Sequence, residues 1–167
     1  VNTRGRIRLL APRNSAIYQY NGATIEIVDI GPVMTLRDVR TNATRAIPSV
    51  PGYPLPLHNS IHPVWIDRWG LFLVLGHHHL HKGGEFSYGH AYIYIAMLFD
   101  PHRMRVTNVS KPFALTGHGI APPQETRGIQ YAMGAFVRNN TLQMSIGLDD
   151  CWSTLLPIRF QLWFEQP

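Results

Sequence analysis

Seven of the nine histidines fall between His58 and Asp100, in the stretch HNSIHPVWIDRWGLFLVLGHHHLHKGGEFSYGHAYIYIAMLFD. Imidazole donates and accepts hydrogen bonds in fixed directions and is the commonest metal ligand. Two chemistries are therefore open to this stretch: a metal cage, or a pocket that grips hydroxyl groups. His77, His78, His79 and His81 form the densest cluster. On an extended chain His77, His79 and His81 would share one face, because side chains alternate. The plainer reading is a solvated polar loop with only His77 turned inward. His58, Asn59 and His62 instead open an apolar run. Amide and imidazole groups at the mouth of a strand suit sugar hydroxyls, against the alternative of capping the strand.

Other candidates are spread along the chain. Arg13 and Asn14 stand before an apolar run and could grip an anionic or hydroxyl-rich ligand, since guanidinium is a planar fork of donors. Gln130 holds the same place before a later run, and Asp149 and Asp150 end the run that follows it. A carboxylate there could bind a sugar hydroxyl or act as a general acid or base. Adjacent carboxylates cannot both point inward, so they are not the separated pair that glycoside hydrolysis needs. Trp65, Trp69 and Trp152 offer stacking faces or core packing. His79-x-His81 followed by Glu85 matches the centre of a cupin metal motif, which would hold iron, manganese or zinc. The glycines which that motif needs do not fall in place.

The elements that must position these groups read as strands. The 13 prolines and 14 glycines are well spread, and no long window has a 3.6-residue period. Asn21-Gly22 lies between Ala16–Tyr20 and Thr24–Ile30, the strongest local signal for a hairpin. Pro32–Asp38 reads as a third strand, and Thr41–Pro56 as a connecting loop. Ile61–Ile66, a turn at Asp67–Gly70, Leu71–Gly76, His90–Asp100 and Met104–Val109 follow. Tyr131–Val137 and Thr141–Ile146 flank a turn at Arg138-Asn139-Asn140, and Trp152–Phe164 supplies one or two more strands. Three units result, near 10–40, 58–110 and 128–164. Each runs polar signature, strand, tight turn, strand, polar end. Repeated antiparallel units of this kind mark a β-propeller, and three are too few to close a ring.

The composition narrows the partners. At 167 residues, 45% apolar and 15% charged, the chain can build a core and is not of disordered type. The formal charge of +5 is scattered, with no basic stripe, so a nucleic-acid partner is not expected. No apolar stretch approaches the roughly 20 residues of a membrane helix. The single Cys151 has no internal disulfide partner. Three sequons, at Asn42, Asn108 and Asn139, against roughly one by chance, lean towards a secretory or extracellular setting. The first residues read as mid-protein sequence.

Ala132-Met133-Gly134-Ala135 and Ser145-Ile146-Gly147-Leu148-Asp149-Asp150-Cys151 resemble a recurrent motif of five-bladed propellers in the glycosidase clan of arabinanases, xylosidases and mannoside phosphorylases. There a strand ending in Ser-Tyr-Gly-x-x-Asp-Cys recurs late in the domain. The second unit resembles the preceding blade, with His58-Asn59-Ser60 leading its inner strand and His77 ending the next. Arg13-Asn14 is similar to the start of a mid-domain phosphorylase blade. The resemblance spans about residues 10–160 and implies an all-β chain, an incomplete five-bladed propeller of about three blades. It implies a glycan in a central pocket, Asp149 as a candidate catalytic group, and Arg13, Asn14, His58, Asn59, His62, His77, Gln130 and Asp150 as binding residues. No cofactor is expected. Arg13, Asn14 and His77 fit three places of the phosphorylase phosphate site, but its lysine position falls at Val64 or Trp65. No counterpart of the early-blade catalytic Asp is present, so hydrolysis, phosphorolysis and binding alone all stay open. The alternatives are a non-catalytic glycan-binding propeller attached to a glycosyltransferase and a cupin-like metal enzyme.

Overall fold

A computed structural model of the chain describes residues 15–49, 57–81, 90–115, 130–148 and 152–164. These residues form twelve strands and one short 3-10 helix. The strands make three antiparallel sheets, and none of the sheets closes on itself. The first sheet is a meander of β1 (Ala16–Tyr20), β2 (Ala23–Ile30), β3 (Val33–Asp38) and β4 (Thr44–Pro48). The second has β5 (His58–Asn59) and β6 (Val64–Ile66) both paired to β7 (Leu71–His81), followed by β8 (His90–Asp100) and β9 (Arg105–Val109). The third is β10 (Gln130–Arg138), β11 (Thr141–Leu148) and β12 (Trp152–Ile158). Among the described residues no helix is long and apolar enough to cross a membrane.

Local chemistry accounts for the hairpins. Asn21 and Gly22 both take positive φ (48° and 76°), as do Asn139 and Asn140 (51° and 59°). Two successive left-handed residues match the right-handed twist of the flanking strands. Asp38 and Asp100 each end a strand and turn the chain. Asp38 Oδ1 accepts from the backbone N–H of Arg40 and Thr41 (2.9 and 2.7 Å), and Asp100 Oδ1 from those of His102 and Arg103 (2.9 and 3.0 Å). The asparagines of all three sequons are exposed.

The second sheet is buried on both faces, which explains why its strands read as unbroken apolar runs. Phe72, Val74, Ile95, Met97 and Phe99 pack with Ala16, Tyr18, Ile27 and Met34 of the first sheet. Their neighbours Leu73, Leu75, Tyr94, Ala96 and Leu98 join Ala132, Leu142, Met144 and Ile146 of the third. Each such side chain contributes about 1.5–3 kcal/mol by leaving water. Gly76 packs closely against the first sheet: a Cβ there would lie 3.1 Å from Ile30 Cδ1. In the third sheet β11 strictly alternates half-buried and buried residues, since only one of its faces meets the core.

Three expectations need correction. Thr41–Pro56 is not all loop, because Thr44–Pro48 pairs with β3 as an edge strand, where a terminal proline is tolerated. Ile61–Ile66 is not one strand. Pro63 has no N–H to give the ladder, and pairing resumes only at Val64. The histidine run is not a solvated loop, for His77–His81 continue β7 and pair through His81 with β8. The last segment supplies one strand, within the one or two expected, and then the 3-10 helix Phe160–Trp163.

Candidate functional site

The β5–β6 edge of the second sheet touches both neighbours. Asn59 donates through Nδ2 to the carbonyl of Ile27 (2.8 Å), and the Ile17 N–H donates to His62 Nδ1 (3.0 Å). On the other side Ser60 Oγ donates to the carbonyl of Ala132 (3.4 Å), and the Ala132 N–H donates to the Tyr94 hydroxyl (3.1 Å). These four bonds tie β5 and the segment after it, with β8, to β1–β2 on one side and β10 on the other. They hold open a cavity of about 300 Å³ lined by Ser15, Asn59, Ser60, Ile61, His62, Tyr131 and Met133. Every sheet supplies part of that wall.

The lining is polar and directional. Asn59 is 4% exposed, and its Oδ1 makes no hydrogen bond within the protein; nor does the buried Ser15 Oγ. A buried polar atom without a partner costs about 1–3 kcal/mol, and both atoms are closed off from solvent. Because His62 Nδ1 accepts a bond, its neutral ring carries the proton on Nε2 and offers a donor. Met133 enters the wall through a break in the β10–β11 register between Ala132 and Gly134. The extra residue of such a bulge re-aims side chains at a sheet edge. Met133 is half exposed and lies over Gly147, whose added Cβ would meet Sδ at 3.5 Å.

Behind this wall lies an aromatic cluster. The His77 ring stands 5.2 Å from Tyr131, 5.4 Å from Tyr92, 6.3 Å from Tyr94 and 5.8 Å from His58, centroid to centroid. His79 packs on Tyr92 at 5.1 Å. His77 is 4% exposed, and its Nδ1 has no partner. Burial first, and then the neighbouring charges of His58, His79 and His78, push its pKa down from 6.5 to about 4. The ring is therefore neutral at pH 7.

Of the binding residues expected from sequence, Asn59 and His62 line the cavity. His58 and His77 face each other across the β5–β7 ladder beside it. Gln130 begins β10, next to Tyr131; its side chain, like that of His81, lies outside the described residues. Arg13, Asn14, Glu85, Asp149 and Asp150 also lie outside them. Among the described residues no group of three or more His, Cys, Asp or Glu side chains is placed to hold a metal ion. None of the lining residues is a carboxylate, so the described wall can orient hydroxyl groups but cannot protonate a glycosidic oxygen through a carboxylic acid. Ser15, Ser60, Tyr131 and Met133 were not expected from sequence. No family profile, curated protein or solved structure matches the chain.

Proposed function

We propose that the chain is part of a five-bladed, glycosidase-like propeller and that it binds an oligosaccharide in the cavity where its three sheets converge. The observation that carries the reading is a cavity between sheets lined by the hydrogen-bonding side chains of Ser15, Asn59, Ser60, His62 and Tyr131. Hydroxyl, amide and imidazole groups together suit a ligand group that both accepts and donates, and a sugar hydroxyl does both. The volume of about 300 Å³ is at the small end of ligand pockets and suits one or two sugar rings. Tyr131 and Met133 add apolar surface for the C–H face of a ring.

The propeller part is supported by topology. The sheets are meanders taken in chain order, stacked face to face with the second between the other two. The strand that opens each meander, or the residue just before it, reaches the cavity, as inner strands of blades would. With no carboxylate in the described wall, binding is the role assigned to these residues.

Isothermal titration of the 167-residue chain against a panel of neutral oligosaccharides tests this. At least one should bind, and Tyr131→Ala, which strips an aromatic ring from the cavity wall, should weaken it about tenfold. Folded protein that binds none of the panel, or a Tyr131→Ala variant with undiminished affinity, would sink the reading.

A further inference from the structure

A second cleft, of about 560 Å³, opens at the far end of the second sheet, between the β6–β7 turn and the β8–β9 turn. Trp65 and Trp69 form its apolar wall, and His102, Arg103, Thr107 and Asn108 its polar one. It shares no residue with the cavity around Asn59.

The carboxylate in this cleft is already committed. Asp100 Oδ1 accepts two backbone N–H groups of its own turn, which lower its pKa together with Arg103 and His102. The guanidinium is not committed in the same way. Arg103 is 70% exposed along its side chain and comes no closer to Asp100 than 3.7 Å, from Nη1 to Oδ2. That is a loose contact, not the two-pronged pair an arginine makes with a carboxylate at full strength. The two indoles are held rigidly: Trp65 lies edge-on to Phe72 at 4.9 Å, and Trp69 to Phe160 at 5.2 Å. His102 is fixed by the Tyr20 hydroxyl, 2.8 Å from its Nδ1. A preformed aromatic wall facing an underused guanidinium fork selects a ligand with an apolar ring face and a carboxylate.

We propose that this cleft is a second binding site, specific for a carboxylate-bearing sugar such as a hexuronate. The ring C–H face lies against the indoles, and the carboxylate takes the Arg103 fork, with Asn108 available to its hydroxyls; Thr107 Oγ1 donates to the carbonyl of Leu98 (3.2 Å) and can only accept from one. Arg68, whose guanidinium sits 5.7 Å over the Trp69 ring, adds positive charge beside that indole. The site does not depend on what occupies the cavity around Asn59.

The test is NMR titration of the full chain with glucuronate oligosaccharides and with the same sugars as methyl esters. The acid should shift the Trp65 and Trp69 indole N–H resonances. The esters, alike in shape but uncharged, should bind about tenfold more weakly. Arg103→Ala should bring the acid down to the level of the ester, and Arg103→Lys should recover part of the loss. The Asp100 turn survives both changes because it is capped by backbone N–H groups. Equal affinity for acid and ester, indifference to Arg103→Ala, or shifts confined to the Asn59 cavity would each overturn the proposal.

Discussion

Protonation of His77 should be one of the largest single contributions to the pH dependence of stability. Its pKa in the folded chain is about 4, against 6.5 for an exposed imidazole, and burial is the leading cause. The folded state thus refuses a proton that the unfolded chain accepts. Above pH 6.5 neither state carries it, and the stability is complete. As the pH falls through 6.5 the unfolded chain takes the proton first, and stability declines until the folded ring also protonates near pH 4. The loss over that window is about 3 kcal/mol. Urea unfolding of the wild type and of His77→Phe, measured from pH 7.5 to 4, isolates this term, since carboxylates titrate alike in both and cancel in the difference. Phenylalanine keeps the ring contacts to Tyr92 and Tyr131 and removes the unpartnered Nδ1. The variant should therefore match or exceed the wild type at pH 7 and lose about 3 kcal/mol less by pH 4. Parallel pH profiles would refute the argument, as would a His77 NMR titration centred near 6.5.

Three further perturbations read the packing. Tyr94→Phe removes the acceptor of the Ala132 N–H inside the core and should cost about 1–3 kcal/mol, a fall in Tm of about 2–4 °C per kcal/mol by differential scanning calorimetry. Gly76→Val must displace Ile30, whose Cδ1 stands 3.1 Å from the new Cβ. It should cost about 1–3 kcal/mol, and Gly76→Ala visibly less in the same melts. Arg37 donates through Nε to Glu26 Oε2 at 2.7 Å, and Glu26 is 1% exposed. Arg37→Met should cost about 3 kcal/mol in urea unfolding by leaving that carboxylate unpaired, whereas Glu26→Leu/Arg37→Met should restore most of the loss.

How much of this was legible in the sequence depended on whether the signal was local. Asn21-Gly22 announced its hairpin because the turn conformation is a property of those two residues. The unbroken apolar runs of β7 and β8 reflected burial on both faces. The extension of β7 through the histidines was hidden, because polarity argued for solvent. What overrides it is pairing: Tyr92 and Tyr94 lie opposite His79 and His77, and aromatic partners can shelter imidazoles. Asn59 and His62 were readable as polar residues at a strand mouth. Met133 was not, since its place in the wall follows from a bulge. The one available hint was Gly134 inside a strand. Ser15 gives no signal at all on its own, because its value comes from what β5 brings beside it.

The interruption between β5 and β6 ties these observations together. Had residues 58–66 run as one strand, alternate residues along its whole length would have been bonded to β7. Pro63 prevents that, and the residues just before it go separate ways. Ser60 keeps its N–H on the carbonyl of Leu75 (2.9 Å) and points its hydroxyl at Ala132. Ile61, 3% exposed, joins the core shared with the third sheet, while His62 turns to the N–H of Ile17 in the first. One short departure from the ladder thus fastens both neighbours and forms one side of the cavity. It follows that His62→Ala should do two things at once. It should lower stability by about 0.5–1.5 kcal/mol, the worth of one net hydrogen bond. It should also weaken saccharide binding, since β1, and Ser15 with it, loses its anchor to β5–β6. A variant that melts and binds as the wild type does would show that the interruption merely accommodates Pro63 and builds nothing.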